Sequence, residues 1–273
     1  MAVGRAADGL NNMQITAPLI ITLVLSVFVG VSLGLLGGGG SILTVPILTY
    51  VLGMDPSHAI TSSLFVVGVT AFVGMFRHAR GGRISWRTGL VFGVAAMTGA
   101  FVGGLVGGLI PGAVLMVLFA VMMIVTSVAM IRGRREQNPG VPAPTRHPAR
   151  VLLDGFGVGF ATSLVGAGGG FLVVPALALL GGLPMALAIG TSLLVIAMQS
   201  SAGLVGHLVT VSLDWPVVLA VTATAIVGSF IGTALVGRIP ERTLRKSFGV
   251  FVLVMGAVVL AEEIPRIVGH LFA

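Results

Sequence analysis

Gly37-Gly38-Gly39-Gly40-Ser41-Ile42-Leu43-Thr44-Val45-Pro46 and Gly166-Ala167-Gly168-Gly169-Gly170-Phe171-Leu172-Val173-Val174-Pro175 are two versions of one stretch. They head a longer duplication. Gly37 to Pro111 align with Gly166 to Pro240 at a constant offset and without a gap, and about a third of the pairs are identical. In each copy a run of glycines precedes a short apolar segment that ends on a proline. A helix tolerates contiguous glycines poorly, at a cost near 1 kcal/mol each, so each run is expected to break one.

The chain around these breaks is apolar throughout. Its mean hydropathy is +1.12 and only 8% of its residues are charged, too few to cover an aqueous surface. Apolar runs near 15–36, 56–76, 88–109, 111–131, 151–165, 185–208, 215–237 and 244–261 approach or reach the roughly 20 helical residues that cross a bilayer. In lipid the backbone must satisfy its own hydrogen bonds, which leaves helices or a closed barrel. These runs lack the alternation of barrel strands. The expected class is all-α and polytopic.

The runs 42–53 and 171–182 are too short to cross, since a helix over either measures about 18 Å. Each half therefore reads as a glycine-broken helix or hairpin followed by three transmembrane helices. The division is 1–132 for the first membrane repeat, 133–149 for a linker and 150–273 for the second repeat. The linker is Arg-rich and holds Asn138-Pro139-Gly140, Pro142, Pro144 and Pro148, a composition that favours exposed, irregular chain. Asp55-Pro56 has the form of a helix cap followed by a first-turn proline, and Pro184 stands one place before the matching position.

The charges give the orientation. Thirteen of the fifteen Lys and Arg residues fall in three segments: Arg77, Arg80, Arg83, Arg87; Arg132, Arg134, Arg135, Arg146, Arg150; and Arg238, Arg242, Arg245, Lys246. The loop 77–87 holds four arginines, whereas its counterpart 206–216 holds only Asp214. The uncharged Leu109-Ile110-Pro111 matches a basic stretch in the second copy. Under the positive-inside rule such a swap means two inverted-topology repeats, with the linker cytoplasmic and both termini outside, in a multi-pass protein of the cell (plasma or inner) membrane. The net charge of +7 thus reflects topology and not nucleic-acid binding.

A helix broken within the membrane exposes backbone N–H groups at the start of its second piece. These groups, with the helix dipole, favour an anion. Gly37, Gly39, Gly40, Ser41 and Ile42 are the candidate residues in the first half, and Gly166, Gly168, Gly169, Gly170 and Phe171 in the second. The plainer reading is close helix packing, which recurs every four residues. It suits Gly99, Gly103 and Gly107 better than these contiguous runs. Ser62 and Ser63, matched by Thr191 and Ser192, offer hydroxyl donors or back-bonds to the preceding turn. Gln199, a buried amide matched by Thr70, lines the site or satisfies itself locally. His78 and His207 match across the copies; they are candidates for carrying a proton or gating, against the simpler role of helix-end residues. Trp86 and Trp215 read as interfacial anchors.

Some residue types are missing. There is no cysteine, so disulfides and thiol chemistry are excluded. No Asp or Glu falls in mid-span, where a cation transporter would place one, and no phosphate-binding loop of the G-x-x-x-x-G-K type is present. Neither cofactor nor metal is expected, and no acid–base constellation suggests an enzyme.

The duplicated Gly-x-Gly-Gly-x-x-x-x-x-Pro pattern, at Gly37, Gly39, Gly40, Pro46 and at Gly166, Gly168, Gly169, Pro175, resembles the TauE/SafE sulfite-exporter family. So do the Ala-Ile-x-[ST]-Ser-Leu stretches Ala59–Leu64 and Ala188–Leu193 and the segments near His78 and His207. The likeness covers residues 15–262. It implies a secondary transporter that moves small sulfur-containing anions, such as sulfite or organosulfonates like sulfoacetate, with export the implied direction. A passive anion channel, or a membrane subunit of a larger permease, is the alternative. The expected partners are a small anionic substrate, membrane lipid and, optionally, further copies in a homo-oligomer.

Overall fold

The computed structural model describes residues 17–132, 148–165, 170–177, 183–235, 246, 249–250 and 252–263. Every element among them is helical. The long helices are α1 (Ala17–Leu36), α2 (Pro56–Arg80), α3 (Trp86–Gly107), α4 (Gly112–Arg132), α5 (Pro148–Leu164), α6 (Met185–His207) and α7 (Trp215–Leu235). Residues 252–263 form a further helical stretch. Between α1 and α2 lies a half-helix built from a 3-10 turn (Gly39–Leu43), an α turn (Thr44–Pro46) and a π turn (Ile47–Val51). Its counterpart between α5 and α6 begins as Gly170–Pro175. Five of the helices are long and apolar enough to cross a membrane.

The local chemistry explains these boundaries. Asp55 caps α2 by accepting the Ser57 N–H at 2.9 Å, with Pro56 in the first turn. Arg77, His78 and Arg80 occupy the last turn of α2, where positive charge complements the helix dipole. α1 stops where Gly37 takes φ +72° and its N–H bonds to Leu33 at 2.9 Å; a side chain there pays the left-handed penalty. In the half-helix, Pro46 offers no N–H to the ladder, and the hydrogen-bond register widens to π directly after it.

The helices meet on small residues. Gly99 and Gly103 of α3 seat against the backbone of Phe156 and Phe160 on α5, and Gly228 and Gly232 of α7 seat against Val27 and Val31 on α1. These are equivalent positions in the two copies, so one packing device is used twice. It is the close approach expected where no hydrophobic effect drives association. α2 and α6 cross with Gly68 against Ser200 and Gly74 against Leu193. The numbering rises on one helix as it falls on the other, so they run antiparallel. Gly34 near the end of α1 meets His78 near the end of α2; the two helices end at the same level, and the half-helix returns the chain between them. Outward-facing Phe28, Val125, Leu153 and Val227 are exposed, as suits a surface covered by lipid tails.

Candidate functional site

The first glycine run is a true break, locked by the other half of the chain. The Ser192 hydroxyl of α6 donates to the Gly37 carbonyl at 2.8 Å and also lies 2.7 Å from the Ile189 carbonyl. A Cβ at Gly37 would fall 2.6 Å from the Ile189 oxygen and 2.7 Å from the Ser192 hydroxyl, so the backbone of α1 touches α6 directly. Beyond Gly37 the chain is extended at Gly38 (φ 175°), and Ser41 closes the next turn through its hydroxyl to the Gly38 carbonyl at 2.8 Å.

The 3-10 turn Gly39–Leu43 packs against the second half-helix Gly170–Pro175 and against α1. Ser41 and Ile42 are buried there. Gly40 abuts the backbone of Val29 and Leu33 on its own α1, so it is a packing glycine as well as part of a break; the two readings are not exclusive at this position. Gly166, Gly168 and Gly169 lie outside the described residues, as do the side-chain surroundings of Gly39, Gly170 and Phe171.

The hydroxyls divide into two kinds. Thr191 Oγ1 accepts the Ser85 N–H at 2.9 Å, which leaves its own O–H as a donor. Ser192 instead directs its hydroxyl proton at backbone carbonyls and acts as structural glue. Ser62 and Ser63 are wholly buried and their hydroxyls have no hydrogen-bond partner among the described residues. Thr70 on α2 and Thr44 and Thr49 on the half-helix are also buried and without a partner among the described residues. The turn Thr44–Pro46 packs on α2, so two elements in contact both carry buried hydroxyls with no partner among the described residues. An unbonded hydroxyl in a dry interior costs on the order of 1–3 kcal/mol, and a bound polar guest removes that cost. Thr44 and Thr49 are not among the candidates singled out from the sequence. Gln199 is buried opposite Thr70's segment of α2, near the crossing of α2 and α6.

His78 and His207 are both buried, and each reaches back to its broken helix. His78 Nε2 lies 3.4 Å from the Gly34 carbonyl, and His207 Nε2 lies 2.9 Å from the Ser163 carbonyl. Gly34 and Ser163 each stand three residues before the first glycine of a run, so the two imidazoles clamp the same point in each copy. Trp86 and Trp215 open α3 and α7 and are about half exposed. Another feature that the sequence reading passed over is Tyr50, whose hydroxyl donates to the buried Glu263 carboxylate at 3.0 Å. It ties the end of the half-helix to the C-terminal helical stretch.

A crevice of about 610 Å³ opens between α2 and α6, walled by Phe65, Phe72, Met75, Met97, Met198 and Leu204 among others. It uses the face of α2 opposite to Ser63 and Thr70, and its walls offer an anion almost nothing polar. It is a lipid-facing cleft and not the candidate site.

Comparison with known proteins agrees with this architecture. The model of the sulfite exporter TauE/SafE family matches residues 22–259. A "Probable membrane transporter protein" of Xylella fastidiosa (strain 9a5c) is 35% identical over 250 residues, covering 89% of this chain and 95% of the relative. "Probable membrane transporter protein YunE" of Bacillus subtilis (strain 168) is 26% identical over 268 residues, covering 90% and 98%. A similarly named protein of Methanocaldococcus jannaschii is 27% identical over 260 residues, covering 88% and 96%. No solved structure matches.

Proposed function

The chain belongs to the sulfite exporter TauE/SafE family, and from that premise we propose that it is a secondary transporter for small anions, sulfite or an organosulfonate such as sulfoacetate, working by alternating access in the cell membrane. The observation that carries this reading is the meeting of the two half-helices: the first turn of one packs on the other, beside elements with buried hydroxyls that have no partner among the described residues. Helix starts leave N–H groups without intrahelical acceptors, and together with neutral O–H donors they suit an anion. We place the guest between the turn Gly39–Leu43, Gly170–Phe171 and the Ser62–Ser63 face of α2. Ser192 holds the break through its bond to the Gly37 carbonyl, while Thr191, which only accepts from Ser85, keeps an O–H to offer the guest.

The two copies act as inverted repeats in this proposal. Its support is the antiparallel run of the equivalent helices α2 and α6, together with the reciprocal seating of α3 on α5 and α7 on α1. Inverted repeats that rock about a shared midplane site give alternating access. The linker 133–149 then lies in the cytoplasm, and export is the working direction. Purified protein in liposomes should take up radiolabelled sulfite or sulfoacetate with saturation and counterflow. Absence of flux for every small anion tested, from protein whose fold is intact by circular dichroism, refutes the reading; single-channel currents in place of counterflow make it a channel.

A further inference from the structure

The loop between α2 and α3 sits directly on the first glycine break. The Arg83 carbonyl is pressed against Gly190 of α6, and the next residue but one, Ser85, donates its N–H to Thr191 at 2.9 Å. Thr191 adjoins Ser192, which holds Gly37. His78, at the other end of the loop, lies against Gly34. Arg77, Arg80, Arg83 and Arg87 therefore lie on, or within a few residues of, the segment packed at that break, and all four are exposed. None of them forms an ion pair among the described residues, where the recorded contact of opposite charges is His58 with Asp55. Only Arg77 is tied down, with Nη1 3.3 Å from the Phe230 carbonyl.

A topology signal asks only that positive charges lie on one face of the membrane. It does not ask that they lie beside a break in a helix, nor that they stay unneutralised. The second copy keeps the clamp, His207 on Ser163, and the tryptophan at the start of the next helix. It replaces the arginines with a segment, 206–216, whose single charged residue is Asp214. The framework is thus duplicated and the charge is not.

We propose that Arg80, Arg83 and Arg87, with Arg77, form an anion-capture vestibule that loads the transporter from the face on which this loop lies. The proposal rests on the anion-transport reading above. A cluster of like charges beside low-dielectric walls concentrates counter-ions and raises capture rates by roughly 10 to 1,000-fold. The ligand class is any small anion, without discrimination among them, because exposed guanidiniums set local concentration while the buried donors set selection. The carrier is in consequence asymmetric. On the positive-inside assignment the vestibule is cytoplasmic, which favours loading for export.

The test is sided sulfite transport in proteoliposomes by the full chain and by the triple variant Arg80→Gln/Arg83→Gln/Arg87→Gln. The chain has no cysteine, so Val209→Cys, exposed in the opposite loop, reports orientation through a membrane-impermeant thiol reagent. For the variant, KM from the vestibule face should rise about tenfold while KM from the other face and the maximal rate stay within twofold. The parent's KM on the vestibule face should climb with ionic strength, because exposed charges are screened within about 8–10 Å at physiological salt, and the variant's should not. The salt series on the parent needs no substitution to fold. Equal KM values on both faces of the parent, or a variant whose KM is unmoved, overturn the vestibule and leave transport standing. A parent that carries no anion at all overturns both.

Discussion

Gly37 and Gly53 share a backbone conformation, φ +72° and +73°, and differ in surroundings. A Cβ at Gly53 meets nothing within 4 Å, while one at Gly37 falls 2.6 Å from the Ile189 oxygen and 2.7 Å from the Ser192 hydroxyl. Gly53→Ala should therefore cost only the left-handed backbone penalty, about 1–2 kcal/mol. Gly37→Ala carries the same penalty plus overpacking against backbone that cannot swing aside, about 1–3 kcal/mol more, for a total near 2–5 kcal/mol. The expected result is a clear drop in the thermal midpoint of detergent-solubilised Gly37→Ala, against a small drop for Gly53→Ala at the same scan rate, since such transitions are kinetic. Transport should follow, with Gly37→Ala losing most sulfite flux and Gly53→Ala keeping it. Equal damage from both substitutions would show that contact across the break contributes nothing. A harmless Gly37→Ala would show that α1 does not touch α6 there in the membrane.

Ser63→Ala and Ser192→Ala separate guest binding from structure: the first removes a buried hydroxyl with no partner among the described residues and should raise the melting midpoint of the guest-free protein while raising the KM for sulfite, whereas the second loses the bond to Gly37 and should destabilise by about 1 kcal/mol. Tyr50→Phe takes a donor from the buried Glu263 carboxylate and should cost about 1.5–3 kcal/mol, with Glu263→Gln milder because it keeps an acceptor; thermal scans in detergent rank the two. Gly40→Leu and Gly103→Leu should both destabilise, since each position abuts a neighbouring backbone, and protease resistance of the two variants in membranes reads the loss. If Gly40→Leu alone also abolishes counterflow at a temperature where both remain folded, the break acts in transport beyond its packing.

Periodicity and composition made the all-helical membrane fold, the break at Gly37 and the cap at Asp55 legible, because each depends on residues adjacent in sequence. Gly99 and Gly103 could be assigned to packing from their spacing alone, although not their partner α5. Donor availability was not legible. Ser192 looks as free as Ser62 and Ser63 until the Gly37 carbonyl arrives from a distant part of the chain. Glu263 reads as a polar tail residue until Tyr50, far away in sequence, is placed against it.

By itself the sequence determined that the chain lives in lipid, that it is built twice, and that a helix fails at Gly37. Hydrophobic content, duplication and glycine runs are local properties, and a bilayer leaves a polypeptide few ways to satisfy its backbone. Only the tertiary structure decided which hydroxyls are bonded, and that the arginine-bearing loop between α2 and α3 packs on α6 beside the first break. Those outcomes depend on which helices approach closely enough for their backbones to touch, and that is set by three-dimensional fit between segments more than a hundred residues apart.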